Sequence, residues 1–294
     1  MAIHRFVLHN GTVRENTEGL LAPGQLGLLA GWGVFSTLRM LGGRIFAWER
    51  HWARMVRDAK LMNVPMPAEA DRVEADLLKL AEANGMADCT IRVVVVRNGG
   101  GMWAGPDVAE SNAIGGHGKV CDVIAMTADF KAWGESVRLG VQPHARYAAS
   151  DFTRAKILSW SGNLTWAEKA QAAGFDEVLL LNEHGRVAEC TSANVFGVFG
   201  REVVTPALGE GCLPGITREI LLELGGVREA TLTVEELCGA DEVFITSTTR
   251  DLLPVREIDG HLLRFGGDVR AGLAAKFAAY LAADIARRKE LAVR

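Results

Sequence analysis

Gly174-Phe-Asp-Glu-Val-Leu-Leu-Leu-Asn-Glu-His-Gly-Arg-Val-Ala-Glu-Cys-Thr-Ser-Ala-Asn-Val-Phe196 is the stretch from which the fold of this 294-residue chain is read. Glu177 to Asn182 is an apolar run of strand length, a second begins at Val195 and reaches Phe199, and a polar, small-residue turn lies between them. Runs of the same kind recur on either side: Arg5 to His9, Gly43 to Ala47, Thr90 to Arg97, Asp122 to Thr127, Ser136 to Val141 and Glu242 to Thr246. Each is short, β-branched or aliphatic, and bounded by turn formers, as a buried strand should be.

Elsewhere the apolar spacing lengthens to that of a helix, at Trp48 to Met62, Ala68 to Asn84, Leu158 to Ala173, Thr217 to Leu224, Val234 to Cys238 and Val269 to Ala292. In the last of these, Leu273, Phe277, Tyr280, Leu281 and Ile285 form one helix-spaced stripe. The mixture predicts an α/β (α+β) chain whose helices are too irregularly placed for a simple βαβ repeat. The length leaves room for about two domains. Asp122 to Thr127 reads as the closing strand of one and Ser136 to Val141 as the opening strand of the next. The expected division is therefore 1–129, a linker at 130–136, and 137–294.

Composition narrows the function. Apolar residues make up 49% and charged residues 23%, which suits packed cores. With 32 Lys and Arg against 36 Asp and Glu, the net charge of -4 supplies no overall basic field, so neither nucleic acid nor an acidic membrane surface is an expected partner. No segment approaches the roughly 18 uninterrupted apolar residues of a membrane helix, and the N-terminus has no continuous apolar export region. The five cysteines are scattered and never form a C-x-x-C pair, which predicts a reducing cytoplasmic setting and no structural metal.

Several positions could carry chemistry. Gly99-Gly-Gly101-Met-Trp-Ala104 follows a strand and superficially matches a dinucleotide fingerprint, but Gly105-Pro106 follows where a helix should open, which favours a plain loop. Lys156, in Arg154-Ala-Lys156-Ile-Leu-Ser159-Trp, falls where a helix is expected to begin. The partial positive charge there would lower an amine pKa toward that of a nucleophile, whereas a lysine taken alone is ordinarily a solvated helix-edge residue. Glu189 could protonate a heteroaromatic nitrogen if buried, or sit at the surface. Leu213-Pro-Gly215-Ile216-Thr217 runs from a loop into a helix, and Ile245-Thr-Ser247-Thr248-Thr249-Arg ends a strand in hydroxyls; both suit phosphate oxygens, and both are also ordinary element ends. Arg54 lies on an amphipathic helix, either exposed or as a phosphate clamp.

Taken in order, these segments resemble the class IV aminotransferases, the pyridoxal-phosphate enzymes of fold type IV that include branched-chain and D-amino-acid aminotransferases and aminodeoxychorismate lyase. The resemblance covers nearly the whole chain. It runs through Gly31-Trp-Gly33-Val-Phe35-Ser-Thr-Leu-Arg39, His51-x-x-Arg54, the Arg97 loop, Lys156, Gly174-Phe-Asp-Glu177, Val187-Ala-Glu189-Cys-Thr-Ser-Ala-Asn194, Leu213-Pro-Gly215-Ile-Thr217-Arg218 and Ser247-Thr-Thr-Arg-Asp-Leu-Leu-Pro254. Agreement in both order and spacing gives the set its weight.

The resemblance implies a smaller N-terminal α/β domain and a larger C-terminal one with pyridoxal 5'-phosphate between them, usually in a homodimer. It implies that Lys156 forms a Schiff base with the cofactor and Glu189 faces the pyridine nitrogen. Arg54, the backbone at Ile216 and Thr217, and Thr248 with Ser247 would hold the phosphate. Phe35, Arg39, Arg97, Trp103 and Arg146 are candidates for the substrate side. Phe35 stands where D-amino-acid aminotransferases carry a Tyr, so it has no hydroxyl to offer a carboxylate, and Ser159 stands where many members have Asn. The implied reaction is ping-pong transfer of an amino group between an amino acid, branched-chain-like or another amine donor, and a 2-oxo acid. The alternatives are a lyase that yields 4-aminobenzoate and pyruvate from aminodeoxychorismate, and a catalytically idle cofactor-binding homologue.

Overall fold

The computed structural model describes residues 2–21, 25–99 and 120–291. It divides into two compact units whose limits do not follow chain order. The first comprises Met1–Lys131, Ala155–Trp160 and Asp284–Arg294, and the second Ala132–Arg154 and Ser161–Ala283.

In the first unit, β1 (Phe6–His9), β2 (Thr12–Glu15), β3 (Gly33–Leu41), β4 (Arg44–Ile45), β5 (Cys89–Arg97) and β6 (Cys121–Ala128) form a sheet in the order β2-β1-β6-β5-β3-β4. All its pairings are antiparallel. The β1–β2 hairpin closes on Asn10 and Gly11, both at positive φ, the geometry that an Asn-Gly turn accepts at least cost. Strand alternation sorts the side chains. Leu38, Met40, Ile91, Val93, Val95 and Ala125 point to one face, where they pack with Met55, Ala59, Leu77 and Leu80 of helices α2 (Trp48–Leu61) and α3 (Ala70–Ala83). Phe35, Val94, Val96 and Ile124 form a smaller cluster on the other. The short helix α1 (Leu26–Ala30) precedes β3.

In the second unit, β7 (Val137–Gln142), β8 (Glu177–Leu181), β9 (Val187–Cys190), β10 (Asn194–Phe199), β11 (Glu202–Pro206), β12 (Val227–Ala230), β13 (Glu242–Ser247) and β14 (Asp251–Ile258) run in the order β12-β11-β10-β13-β14-β7-β8-β9. A further strand, β15 (His261–Leu262), pairs with β14. Three pairings are parallel, β11 with β12 and β7 with both β14 and β8. Helices α4 (Ser161–Ala172), α5 (Ile216–Glu223), α6 (Val234–Cys238) and α7 (Asp268–Leu291), whose end from Asp284 onward belongs to the first unit, accompany this sheet. Val195, Leu179, Ile245, Val255 and Leu237 lie in the core of this sheet.

Two expectations are corrected here. The stretch between Asn182 and Val195, read as a turn, contains the buried strand β9, which pairs antiparallel with β8. Lys156 does not begin a helix, because α4 starts at Ser161. The run Ile157-Leu158 satisfies its backbone against the start of β3 instead, with Val34 bridged antiparallel to Ile157. The remaining helices and strands read from the sequence appear within a few residues of their expected limits.

Candidate active site

The Lys156 segment is held by the Gly31-Trp-Gly33 motif. Phe35 N–H donates to the Lys156 carbonyl at 3.1 Å, and Leu158 N–H donates to Gly33 O at 2.9 Å. Any Cβ at Gly33 would stand 2.5 Å from Val95 O and 2.6 Å from the Leu158 side chain, so only glycine lets the segment approach this closely. Ser159 Oγ donates to the carbonyls of Ala30 and Gly31, both at 3.1 Å. The N–H of Lys156 itself donates to Asp58 Oδ2 at 3.0 Å, and Asp58 is buried on α2. The lysine peptide is thus fixed at both its N–H and its C=O.

The Lys156 amine lies 4.6 Å from the centroid of the Phe35 ring, and the Arg92 guanidinium lies 4.0 Å from it. Trp160 meets Phe35 edge-on at 6.1 Å. Arg92, directly opposite Thr37 in the β3–β5 register, shares the Phe35 face. Burial lowers its pKa, and it has no ion-pair partner among the described residues. Motif reading did not single it out. Its signal was present in Ile91-Arg-Val-Val-Val-Val-Arg97, where alternation sends Arg92 to the same face as Val94 and Val96.

On the opposite face of β3, Arg54 is buried and its Nη2 donates to Ser36 Oγ at 3.1 Å. Ser36 Oγ lies 2.8 Å from His51 Nδ1. Burial, followed by the positive charges of Arg54 and Lys156, drives the His51 pKa well below the ordinary histidine value. A neutral ring accepting the Ser36 hydroxyl at Nδ1 carries its proton on Nε2, a buried atom with no hydrogen-bond partner among the described residues.

The second unit gathers the remaining motifs. Glu189, paired with Leu180 across β8 and β9, is buried. Its Oε1 accepts from Arg146 Nε at 3.2 Å and its Oε2 from the Leu213 N–H at 3.0 Å. Arg146 Nη1 also donates to Asn163 Oδ1 at 3.2 Å, and Asn163 Nδ2 donates to Thr191 O at 2.7 Å. Asn194 Nδ2 donates to Leu213 O at 2.8 Å, and a Cβ at Gly215 would fall 2.1 Å from Asn194 Oδ1. Glycine is therefore required at the entrance to α5. No side chain caps the first turn of that helix, and Thr217 Oγ1 is buried with no hydrogen-bond partner among the described residues. An unpaired buried hydroxyl costs about 1–3 kcal/mol, a cost that a polar ligand would relieve. Asn194 pairs with Thr246 in the β10–β13 register, so the turn after Glu189 and the hydroxyls of Ser247 and Thr248 lie at the same end of the sheet.

Other sequence candidates are committed elsewhere. Arg97 stacks on Trp32 at 4.3 Å and donates to the carbonyls of Gly99, at 2.6 Å, and Asn63. Arg39 lies over the Phe130 ring at 5.9 Å, and Arg146 is engaged by Glu189. Trp103, like most of the glycine loop that contains it, lies outside the described residues. Burial pushes the Cys190 thiol well above its ordinary pKa and Cys212 up to about 12, so both are inert thiols. Among the described residues no helix is long and apolar enough to cross a membrane, and no cluster of His, Cys, Asp or Glu could hold a metal.

Known proteins resemble this chain along most of its length. The chain is 29% identical over 269 residues to a D-alanine aminotransferase of Bacillus licheniformis, covering 88% of this chain and 90% of the relative. It is 27% identical over 258 residues to a branched-chain-amino-acid aminotransferase of Pseudomonas aeruginosa, covering 80% and 79%. The crystal structure of a branched-chain aminotransferase from Thermoproteus uzoniensis, solved with norvaline, superposes with a TM-score of 0.83 at 26% identity over 96% of each chain. The mixed two-sheet architecture is that of the fold type IV enzymes. The family pattern of the class IV amino-transferases matches residues 33–258, a span that includes both the Lys156 and the Glu189 segments, and the chain belongs to that family.

Proposed function

We propose that this protein is a pyridoxal-phosphate-dependent aminotransferase that moves the amino group of an aliphatic amino acid, of branched-chain type or similar, to a 2-oxo acid. The observation that carries the reading is Lys156, an amine whose peptide is gripped at both ends and whose Nζ shares the Phe35 ring with Arg92.

The residues suit the cofactor. A phosphate dianion needs cations and donors. Arg54 in the first unit, with the N–H groups of Ile216 and Thr217 and the hydroxyls of Thr217, Ser247 and Thr248 in the second, are of that kind. The unpartnered polar atoms of His51 and Thr217 support this reading. Glu189, oriented by Arg146 and the Leu213 N–H, would keep a ring nitrogen protonated. When bound, pyridoxal phosphate supplies an electron-withdrawing ring that takes up the electrons released at the substrate Cα. Lys156, as a neutral amine, would take the proton from that Cα and deliver it to the adjacent cofactor carbon. Arg92 would meet a substrate carboxylate, since a half-buried cation without an ion-pair partner among the described residues favours an anionic ligand. Phe35, Val94 and Leu158 offer an apolar surface for an aliphatic side chain. We read the enzyme as a cytoplasmic homodimer, and light scattering checks the assembly.

Purified protein should be yellow, lose that band on borohydride treatment and carry the label on Lys156. Protein that stays colourless after pyridoxal phosphate is added would overturn the reading. Donor amino acids with pyruvate or 2-oxoglutarate should be turned over. Turnover of aminodeoxychorismate alone, without an oxo-acid acceptor, would assign the lyase reaction instead.

A further inference from the structure

Two motif residues that have no role so far, Glu177 and Arg250, meet. Arg250 Nη2 lies 3.2 Å from Glu177 Oε2, with the two side chains 6% and 4% exposed. Glu177 Oε1 accepts from the Val178 N–H at 3.0 Å, from the Thr191 N–H at 3.3 Å and from the Thr191 hydroxyl. Glu177 Oε2 also accepts from Ser192 Oγ at 2.7 Å. Arg250 Nη1 donates to Ser192 O at 3.0 Å and reaches Ser247 Oγ at 3.4 Å, while Nη2 donates to Ser192 Oγ at 2.9 Å. The guanidinium lies 3.7 Å over the Trp133 ring, and the Arg250 N–H closes its own turn onto Ser247 O at 3.2 Å.

A buried ion pair is a poor device for stability alone. Desolvating both charges costs several kcal/mol, and well-packed apolar residues often serve as well. What this pair does uniquely is join two turns. One, at 191–194, follows Glu189; the other, at 247–250, carries Ser247 and Thr248. Burial lowers the Arg250 pKa and Glu177 opposes the shift, so the guanidinium depends on its partner.

We infer that the Glu177–Arg250 pair is a positioning strut that fixes the Ser247–Thr248 turn against the Glu189 turn, and thereby sets affinity for the phosphate of the cofactor. This rests on the cofactor reading above. The strut touches neither a reacting atom nor, through its own charges, the phosphate, and acts by holding the hydroxyls in register. Its two charges are interdependent, so removing either should release the turn as fully as removing both.

The test uses the full chain stripped of cofactor, titrated with pyridoxal phosphate and, separately, with pyridoxal, which lacks the phosphate. Arg250→Gln and Glu177→Gln should each weaken pyridoxal phosphate by at least about tenfold while pyridoxal changes less than about threefold. The double variant, which is neutral, should lose about as much affinity for pyridoxal phosphate as either single one and should melt within about 3 °C of the parent. Arg250→Lys, which keeps the charge but cannot bridge both turns, should fall between parent and Arg250→Gln. Equal losses for the two ligands would reduce the pair to a general structural role, and unchanged affinity in the double variant would remove the role altogether; either overturns the inference while leaving the cofactor reading intact. A parent that binds neither ligand overturns both.

Discussion

Replacing Asp58 by alanine tests whether the lysine works because its backbone is pinned. Asp58 is 1% exposed, and its carboxylate accepts the Lys156 N–H at 3.0 Å through Oδ2 and Arg57 through Oδ1, at 2.9 Å from Nε and 2.5 Å from Nη2. Arg57 is half exposed and can rehydrate when the carboxylate is removed. The Lys156 N–H is the group left wanting. A hydrogen bond to a charged group contributes about 1.5–3 kcal/mol, so Asp58→Ala should cost about that much in urea unfolding. The opposite grip, from Phe35 N–H to the Lys156 carbonyl, remains, so the segment should loosen without leaving β3. A displacement of the amine of the order of 1 Å would slow amine transfer by roughly 10- to 100-fold. Asp58→Asn keeps an acceptor oxygen and should lose less than about 1 kcal/mol and less than about fivefold in rate. The measurement is the single-turnover rate of the cofactor absorbance change on mixing with donor amino acid, alongside kcat and KM. If Asp58→Ala turns over like the parent, or if alanine and asparagine fall equally, the pinning argument fails.

Three further outcomes are expected. The His51 pKa is lowered in the folded chain, so the stability tied to its neutral ring is complete above about pH 6.5 and is lost as pH falls below that value. The slope is about 1.4 kcal/mol per pH unit, and it should flatten in His51→Gln; identical pH–stability curves would contradict this. Arg92→Met should raise the KM for an acidic acceptor such as 2-oxoglutarate by about tenfold or more, yet leave the ligand-free protein as stable or more so, because no partner among the described residues balances this charge; a drop in melting temperature with unchanged KM would refute it. Gly33→Ala should destabilise by about 1–3 kcal/mol and depress labelling of Lys156 by borohydride, since the new Cβ meets the Val95 carbonyl at 2.5 Å; retention of parental labelling would show that the segment can shift freely.

The sequence carried most of the elements but not the context that gives Lys156 its place. Ile157, Leu158 and Trp160 are spaced as a helix onset would be, and nothing local reveals that their backbone pairs with a strand more than 120 residues earlier. β14 escaped the strand pattern because Pro254 interrupts it, although in the sheet that proline simply faces Phe244 beside a register shift. Glu189 and Arg54 stood out in the sequence because their neighbours follow a family order, and both are buried. Arg146 was visible only as a cation, and its choice of Glu189 over a substrate depends on the fold of β9. Arg92 was hidden by the apolar run around it.

The placement of Ala155–Trp160 in the first unit bears on how the molecule is made. During synthesis β3 and α2 emerge early, but the short segment that bridges the start of β3 at Val34 follows only after β7 has been translated. Until then Gly33 O, the Phe35 N–H and the Asp58 carboxylate each lack the partner that this segment supplies. Lys156 therefore joins the first unit as a late arrival, after the chain that forms most of that unit has been translated.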